Sequence, residues 1–155
     1  MKSQIILCSG GARSGKSEFA ERLALSTEGR KAYVATGQAF DEEMVDRIKK
    51  HQERRGAIWT NFEVPLYLAK EWQNISQSAD VILIDCLTMF TTNHMMAHGS
   101  IQGQQDANDL EEAVLSELES LLNLIASSDG KTVIFVTNEI GLGIVPDNKL
   151  ARYFR

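Results

Sequence analysis

The chain has 155 residues, 43% hydrophobic and 24% charged, with a formal net charge of −5 from 16 Lys+Arg against 21 Asp+Glu. That length suits one domain, residues 1–155, with a single substantial core, and the composition is that of an ordinary soluble globular protein. No segment is basic enough for a nucleic-acid footprint, since Lys49-Lys50 and Arg54-Arg55 fall inside an acid-rich helix, and no apolar stretch approaches membrane-spanning length.

In chain order, a strand is expected over Gln4–Cys8, then a glycine-rich turn, then a helix over Ser17–Ser26 ended by Gly29. Lys31–Ala35 reads as a second strand. Asp41–Arg55 reads as a strong helix, with acids at its start and Met44, Val45, Ile48 and Gln52 at helical spacing. Trp59–Val64 alternates weakly and is expected to be extended, and Pro65 opens a helix to about Ile75, because proline is tolerated in a first turn. Val81–Asp85 is a third clear strand and Leu87–Met96 a helix. A polar connection from His98 to Asp106 leads to the longest helix, Ala107–Ser127, whose apolar face is Leu110, Val114, Leu118, Leu121, Leu122 and Ile125. Asp129-Gly130 turns the chain into a last strand, Thr132–Thr137. Strands alternating with helices imply crossover units, hence an α/β fold with a mostly parallel sheet flanked by helices.

The two cysteines, Cys8 and Cys86, form neither a disulfide framework nor a metal pattern and read as small core residues. With an N-terminus that lacks the pattern of a signal peptide, they fit a reducing, cytoplasmic setting.

Gly10, Gly11, Ala12, Arg13, Ser14, Gly15, Lys16 and Ser17 match G-x-x-x-x-G-K-[ST] between an apolar strand and an amphipathic helix, the context a phosphate-binding loop requires. The glycines let backbone N–H groups turn inward around an anion, and the helix adds its positive end. In that setting Lys16 reaches the β- and γ-phosphates of a nucleoside triphosphate, and the Ser17 hydroxyl is a Mg²⁺ ligand.

Such a loop needs an acidic partner for the ion. Asp85, closing the apolar strand Val81–Asp85 at the same sheet edge, supplies it; as a helix cap it would serve structure alone. His51 falls on or beside the inward face of its helix, followed by Gln52, Glu53, Arg54 and Arg55. Arginine pairs suit phosphate oxygens and an imidazole beside them can attack phosphorus, but a core histidine and a basic helix end complementing the dipole fit the residues equally well. His94 and His98, four apart, lack the third ligand that a metal pair would need. The stretch from Thr137 to Pro146, rich in glycine after a strand, suits a loop closing over a ligand, with Glu139 placed to meet substrate or metal.

Several segments together resemble the bifunctional adenosylcobinamide kinase/adenosylcobinamide-phosphate guanylyltransferases of cobalamin biosynthesis: GGARSGKSEFAE at 10–21, YVATG at 33–37, DEEMVDRIKKHQERR at 41–55, W-T-x-F-E at 59–63, LIDCLT at 83–88 and VTNEIGLGIVPDNKLARYFR at 136–155. The resemblance spans nearly the whole chain in the family's order and implies a P-loop NTPase-like fold. It also implies two reactions at a shared nucleotide site. A terminal phosphate of GTP or ATP passes to the aminopropanol hydroxyl of adenosylcobinamide; then GTP gives its guanylyl group to an enzyme histidine and onward to adenosylcobinamide phosphate, making adenosylcobinamide-GDP.

The family's R-I-x-x-H-x-x-x-R pattern falls without gaps on Arg47–Arg55, so the resemblance makes His51 the nucleophile. It carries the family's GTP contacts to residues 10–17, to Ala35, Thr36 and Gly37, to Gln52, Glu53, Arg54 and Arg55, and to Glu63 and Asp85. A homotrimer is the family's oligomeric habit. Its members also continue past the R-Y-F-R segment with a helix and a final strand, which the resemblance implies are missing after Arg155. Two other readings fit the loop: a simple P-loop small-molecule kinase in which His51 is structural, and a nucleotide-dependent switch. The lack of an N-K-x-D base-recognition sequence counts against the switch.

Overall fold

A computed structural model describes residues 1–155 apart from 39, 142 and 144. Five strands form one sheet in the order β1-β5-β4-β2-β3, every neighbouring pair parallel. They are β1 (Gln4–Gly10), β2 (Lys31–Ala35), β3 (Trp59–Glu63), β4 (Val81–Asp85) and β5 (Thr132–Asn138). Between and after them run α1 (Lys16–Ser26), α2 (Glu42–Arg55), α3 (Leu68–Ser78), α4 (Leu87–His98), α5 (Gln104–Ser127) and α6 (Lys149–Phe154). The fold is α/β, as the alternation of elements predicts.

Period-2 alternation along the central strands builds two cores. Ala32, Val34, Ile82, Ile84, Val133 and Phe135 face α3, α4 and α5, and meet Leu68, Trp72, Ile75, Phe90, Leu110, Leu121 and Ile125. Tyr33, Val81, Leu83, Ile134 and Val136 face the other way, onto Ala20 and Ala24 of α1, with Trp59 and Cys8. Small residues on α1 let its backbone approach the sheet. The strands buried on both faces, β4 and β5, are the continuous apolar runs expected of a parallel sheet.

Helix boundaries depart from the sequence reading where tertiary partners intervene. The helix expected to open at Pro65 starts at Leu68. The Pro65 carbonyl accepts from Asn93 Nδ2 at 3.1 Å, the Leu66 carbonyl sits 3.2 Å from His94 Nε2, and the Ala69 N–H donates to Glu117 Oε1 of α5 at 2.9 Å. α5 begins at Gln104 rather than Ala107, because Asp106 reaches back to accept the Gln102 N–H at 2.8 Å and two Gln side chains bond residues one turn on. Of the face expected on this helix, Leu122 is 41% exposed while Leu110, Val114, Leu121 and Ile125 are buried. The short α6 was not anticipated; Asn148 caps it by accepting the Ala151 N–H at 3.1 Å.

α2 departs most. It has no buried residue; Met44, Ile48, Gln52 and Arg55 form a half-buried stripe, Val45 is exposed, and His51 is exposed beside the stripe rather than facing a core. Its ends are fixed instead: Asp41 accepts the Met44 N–H at 2.8 Å, and Arg55 reaches into the protein. No helix among the described residues is long and apolar enough to cross a membrane.

Candidate active site

A parallel sheet brings all its strand ends to one edge, and here that edge gathers the sequence-predicted residues. Register places Glu63, Ala35, Asp85 and Val136 in one row across β3, β2, β4 and β5, with Cys8 of β1 beyond. Gly10 pairs with Asn138 two residues further on, and the Glu139 N–H donates to the Gly10 carbonyl at 2.7 Å. The loop after β5 is thereby tied to the start of the phosphate loop. The glycine-rich stretch from Thr137 to Pro146 otherwise lies partly outside the described residues.

The loop from Gly11 to Gly15 curls onto the N-terminus of α1. Gly15, at φ 83° and ψ 12°, takes the left-handed conformation that turns the chain into the helix without a side-chain clash. Among the described residues no side chain caps α1, which leaves its first-turn N–H groups available to an anion. Lys16 Nζ donates to the Gly11 carbonyl at 3.1 Å, which folds the ammonium back across the loop. Ser17, half-buried, opens the helix beside it. Ala12, Arg13 and Ser14 are exposed at the tip, Arg13 at φ 57°.

Thr36 is fully buried. Its hydroxyl donates to the Cys86 carbonyl at 2.6 Å and accepts the Cys86 N–H at 2.8 Å, while its own N–H donates to the Asp85 carbonyl at 3.1 Å. The turn Ala35–Gly37 is therefore welded to the end of β4. The Cys86 Sγ accepts the Met89 N–H at 3.4 Å, capping α4, and burial pushes this thiol up, away from nucleophilic use.

Asp85 shares its sheet face with Tyr33, whose hydroxyl donates to Asp85 Oδ2 at 2.5 Å. Burial first, and then the neighbouring carboxylate, drive the Tyr33 hydroxyl far above its ordinary value, so it is the fixed donor of this bond. That face is also the one α1 covers, which puts Asp85 on the side of the sheet from which Ser17 projects its helix. A hydroxyl and a carboxylate are oxygen donors of the kind Mg²⁺ takes.

His51 stands on an exposed face of α2 with Glu43, Asp46, Arg47, Lys50 and Arg54, which line a groove of about 370 Å³. Three cations line that groove with His51, and each has an acidic partner: Lys50 with Asp46 at 2.7 Å, Arg47 with Glu43 at 3.6 Å and Arg54 with Glu21 at 3.5 Å. Arg55, one turn on, points the other way. Its guanidinium lies 3.5 Å from the centroid of the Tyr33 ring, donates to Asn61 Oδ1 at 3.1 Å and sits 3.9 Å from Glu21 of α1. Arg54 reaches the other Glu21 oxygen at 3.5 Å. Gln52 is half-buried, Glu53 exposed, and Glu63 exposed at the far edge strand. His94 packs edge-on against Phe90 at 4.6 Å, and His98 is exposed at the end of α4. Sequence reasoning missed Tyr33 and Glu21; the YVATG segment and the helix-face spacing of Glu21 were signals of position, without any mark of what they touch.

A glycine-rich loop at the C-terminal edge of a parallel sheet, running into an uncapped helix beside a strand-end aspartate, defines the class: a P-loop NTPase fold. Solved structures agree on the fold. The chain is similar to a prototypical ATPase from the type III secretion system of pathogenic bacteria (TM-score 0.62, 14% identity, 96% of this chain and 46% of that one) and to the RadB recombinase (TM-score 0.51, 20% identity, 88% and 60%). Within that class, the family model for cobinamide kinase/cobinamide phosphate guanyltransferase matches residues 6–155, and the chain belongs to that family. It is 36% identical to the bifunctional adenosylcobalamin biosynthesis protein CobU of Escherichia coli K12 over 97% of this chain and 83% of that protein. It is 39% identical to CobP of Pseudomonas aeruginosa, over 94% and 77%, and 39% identical to CobU of Salmonella typhimurium, over 97% and 83%.

Proposed function

We propose that this protein phosphorylates adenosylcobinamide with GTP or ATP and then transfers GMP from GTP, through a guanylyl-His51 intermediate, to adenosylcobinamide phosphate. The observation that carries the reading is the coexistence of the phosphate loop with an exposed histidine, set among Arg47, Lys50 and Arg54, on a helix whose end is pinned to the loop's own helix through Glu21. A core histidine would be buried and partnered; His51 is exposed.

In the kinase step the loop N–H groups and Lys16 hold the β- and γ-phosphates. The substrate hydroxyl oxygen bonds to the γ-phosphorus and releases its proton to solvent, the bond to the β–γ bridging oxygen breaks, and the nucleoside diphosphate leaves. In the transfer step an unprotonated ring nitrogen of His51 bonds to the α-phosphorus and pyrophosphate leaves. A phosphate oxygen of adenosylcobinamide phosphate then displaces the imidazole, giving adenosylcobinamide-GDP and free His51. Arg47, Lys50 and Arg54 offer positive charge to the phosphates that pass this helix. Ser17 and Asp85 are the residues that would hold Mg²⁺, which supplies charge neutralisation on the phosphate oxygens. Glu63, four strand spacings or about 19 Å from β1, suits the nucleoside end of GTP rather than its phosphates. A cytosolic homo-oligomer, a trimer by family habit, completes the reading.

Covalent labelling tests it. GTP radiolabelled at the α-phosphate should leave acid-labile, alkali-stable label on the wild type and none on His51→Ala, while γ-labelled GTP leaves none on either. Equal α-label on both proteins rules out His51 as the nucleophile. Phosphorylation of the corrinoid with no covalent label at any stage identifies a simple kinase.

A further inference from the structure

Tyr33 belongs to none of the residue sets that the phosphate loop, His51 or Asp85 define, yet it touches two of the three regions at once. It sits on β2 in register with Leu83 of β4, so Asp85 is its diagonal neighbour on the same face, within reach of a phenol. The ring is buried, edge-on to Trp59 at 6.0 Å, and its hydroxyl is spent on one carboxylate oxygen of Asp85. On its open face lies the Arg55 guanidinium, from a side chain only 6% exposed. Arg55 Nε is buried without a hydrogen-bond partner, so the ring face, together with Asn61 and Glu21, is what holds the group there. Among the described residues, α2 has no fully buried residue, and its C-terminal anchor is this stack, the Asn61 bond and the Glu21 pairs.

We propose that Tyr33 is a positioning residue for both half-reactions: its hydroxyl orients Asp85 toward the divalent ion, and its ring seats Arg55 and so fixes the helix that carries His51. The inference rests on the reading of Asp85 and His51 given above. With Oδ2 held by the phenol, the carboxylate cannot spin, and its second oxygen is presented in one direction. Outer hydrogen bonds of this kind typically govern metal affinity or activity by about 10–100-fold. The ring separately holds Arg55 one helical turn from His51, so the same side chain sets the position of the nucleophile without touching substrate.

The two roles separate by substitution. Tyr33→Phe keeps the ring and removes the hydroxyl. Calorimetric titration of GTP at graded Mg²⁺ should show the ion's enhancement of GTP binding shifted to about tenfold higher Mg²⁺. At saturating Mg²⁺, α-phosphate labelling should stay near wild type. Arg55→Met and Tyr33→Leu each remove the stack, and should slow labelling about tenfold or more at saturating Mg²⁺ while corrinoid phosphorylation changes less. Circular dichroism and thermal midpoints confirm folding, and Arg55→Met carries the test if Tyr33→Leu does not fold. An unchanged Mg²⁺ titration in Tyr33→Phe overturns the hydroxyl's role, and full labelling in Arg55→Met overturns the ring's. Asp85→Asn distinguishes the premises. If it abolishes the Mg²⁺ effect while Tyr33→Phe does nothing, only the Tyr33 inference falls; if it leaves the titration unaltered, the metal reading of Asp85 falls, and the hydroxyl's role with it.

Discussion

Asn93, buried in α4, donates through Nδ2 to the Thr36 carbonyl at 2.6 Å, joining α4 to the turn that follows β2. The same amide donates to the Pro65 carbonyl at 3.1 Å, so one side chain closes the ends of β2 and β3 under α4. The bond to Thr36 is buried, so water cannot replace this donor there.

Asn93→Ala should therefore lower stability by about 2 kcal/mol, the cost of leaving buried acceptors unpaired. Asn93→Asp should be worse than alanine, since an ionised carboxylate would face two carbonyl oxygens and could donate to neither. Urea denaturation of the two variants checks this. Asp tolerated better than Ala would contradict the assigned direction of these bonds.

Lys16 bridges its own loop by donating to the Gly11 carbonyl. On the proposed function the two reactions share one triphosphate position, so Lys16→Ala should lose both phosphoryl and guanylyl transfer by about 100-fold or more. Retained guanylylation with lost kinase activity would show two separate nucleotide sites.

At the opposite, N-terminal edge of the sheet, Arg30 grips Asp80 through Nε at 3.0 Å, through Nη2 at 3.1 Å and through its own backbone N–H at 2.9 Å. The Arg30 side chain, with its N–H next, holds the Asp80 carboxyl well below the usual carboxylate range. A depressed folded-state value means the stabilisation is whole above the unfolded value of about 3.9 and is lost as pH falls toward the folded one. Asp80→Asn should flatten the acid limb of stability below about pH 4 while changing little of its slope above. Thermal midpoints of both proteins from pH 7 to pH 2 read this directly.

Gly29 precedes that pair at φ 118°, and a Cβ there would come 2.8 Å from Asp80 Cβ. Gly29→Ala should cost about 1–3 kcal/mol from the strained backbone, and more because the clashing carbon lies close to the main chain. A midpoint in urea within error of wild type would show that the turn relaxes freely.

The core strands and the phosphate loop were legible because their signals are local. Val81–Ile84 is apolar throughout because both faces of β4 are covered, and Gly15 stands where a left-handed turn needs it. Asp85 was legible because a strand end in a parallel sheet has a known edge. The surroundings of His51 were not. Met44, Ile48 and Gln52 have the spacing of an inward face, but periodicity reports an amphipathic helix without saying whether a core exists beneath it, and here no residue of α2 is fully buried. The start of α3 was misplaced for a related reason: proline permits a first turn, but α4 takes the carbonyls of Pro65 and Leu66, and Glu117 of α5 supplies the cap.

The sequence by itself determined what short-range chemistry can encode: the alternation that makes an α/β sheet, the G-x-x-x-x-G-K-[ST] loop between strand and helix, and the gapless R-I-x-x-H-x-x-x-R pattern around His51. The tertiary structure decided the strand order β1-β5-β4-β2-β3, which sets one strand between the phosphate loop's strand and that of Asp85. It also decided that Tyr33, Arg55, Glu21 and Asp85, drawn from four separate elements, form one contact chain. Residues 21, 33, 55 and 85 are too far apart in sequence for any local propensity to couple them. Only the register of β2 against β4 and the reach of Arg55 from the end of α2 bring a phenol under a guanidinium and against a carboxylate.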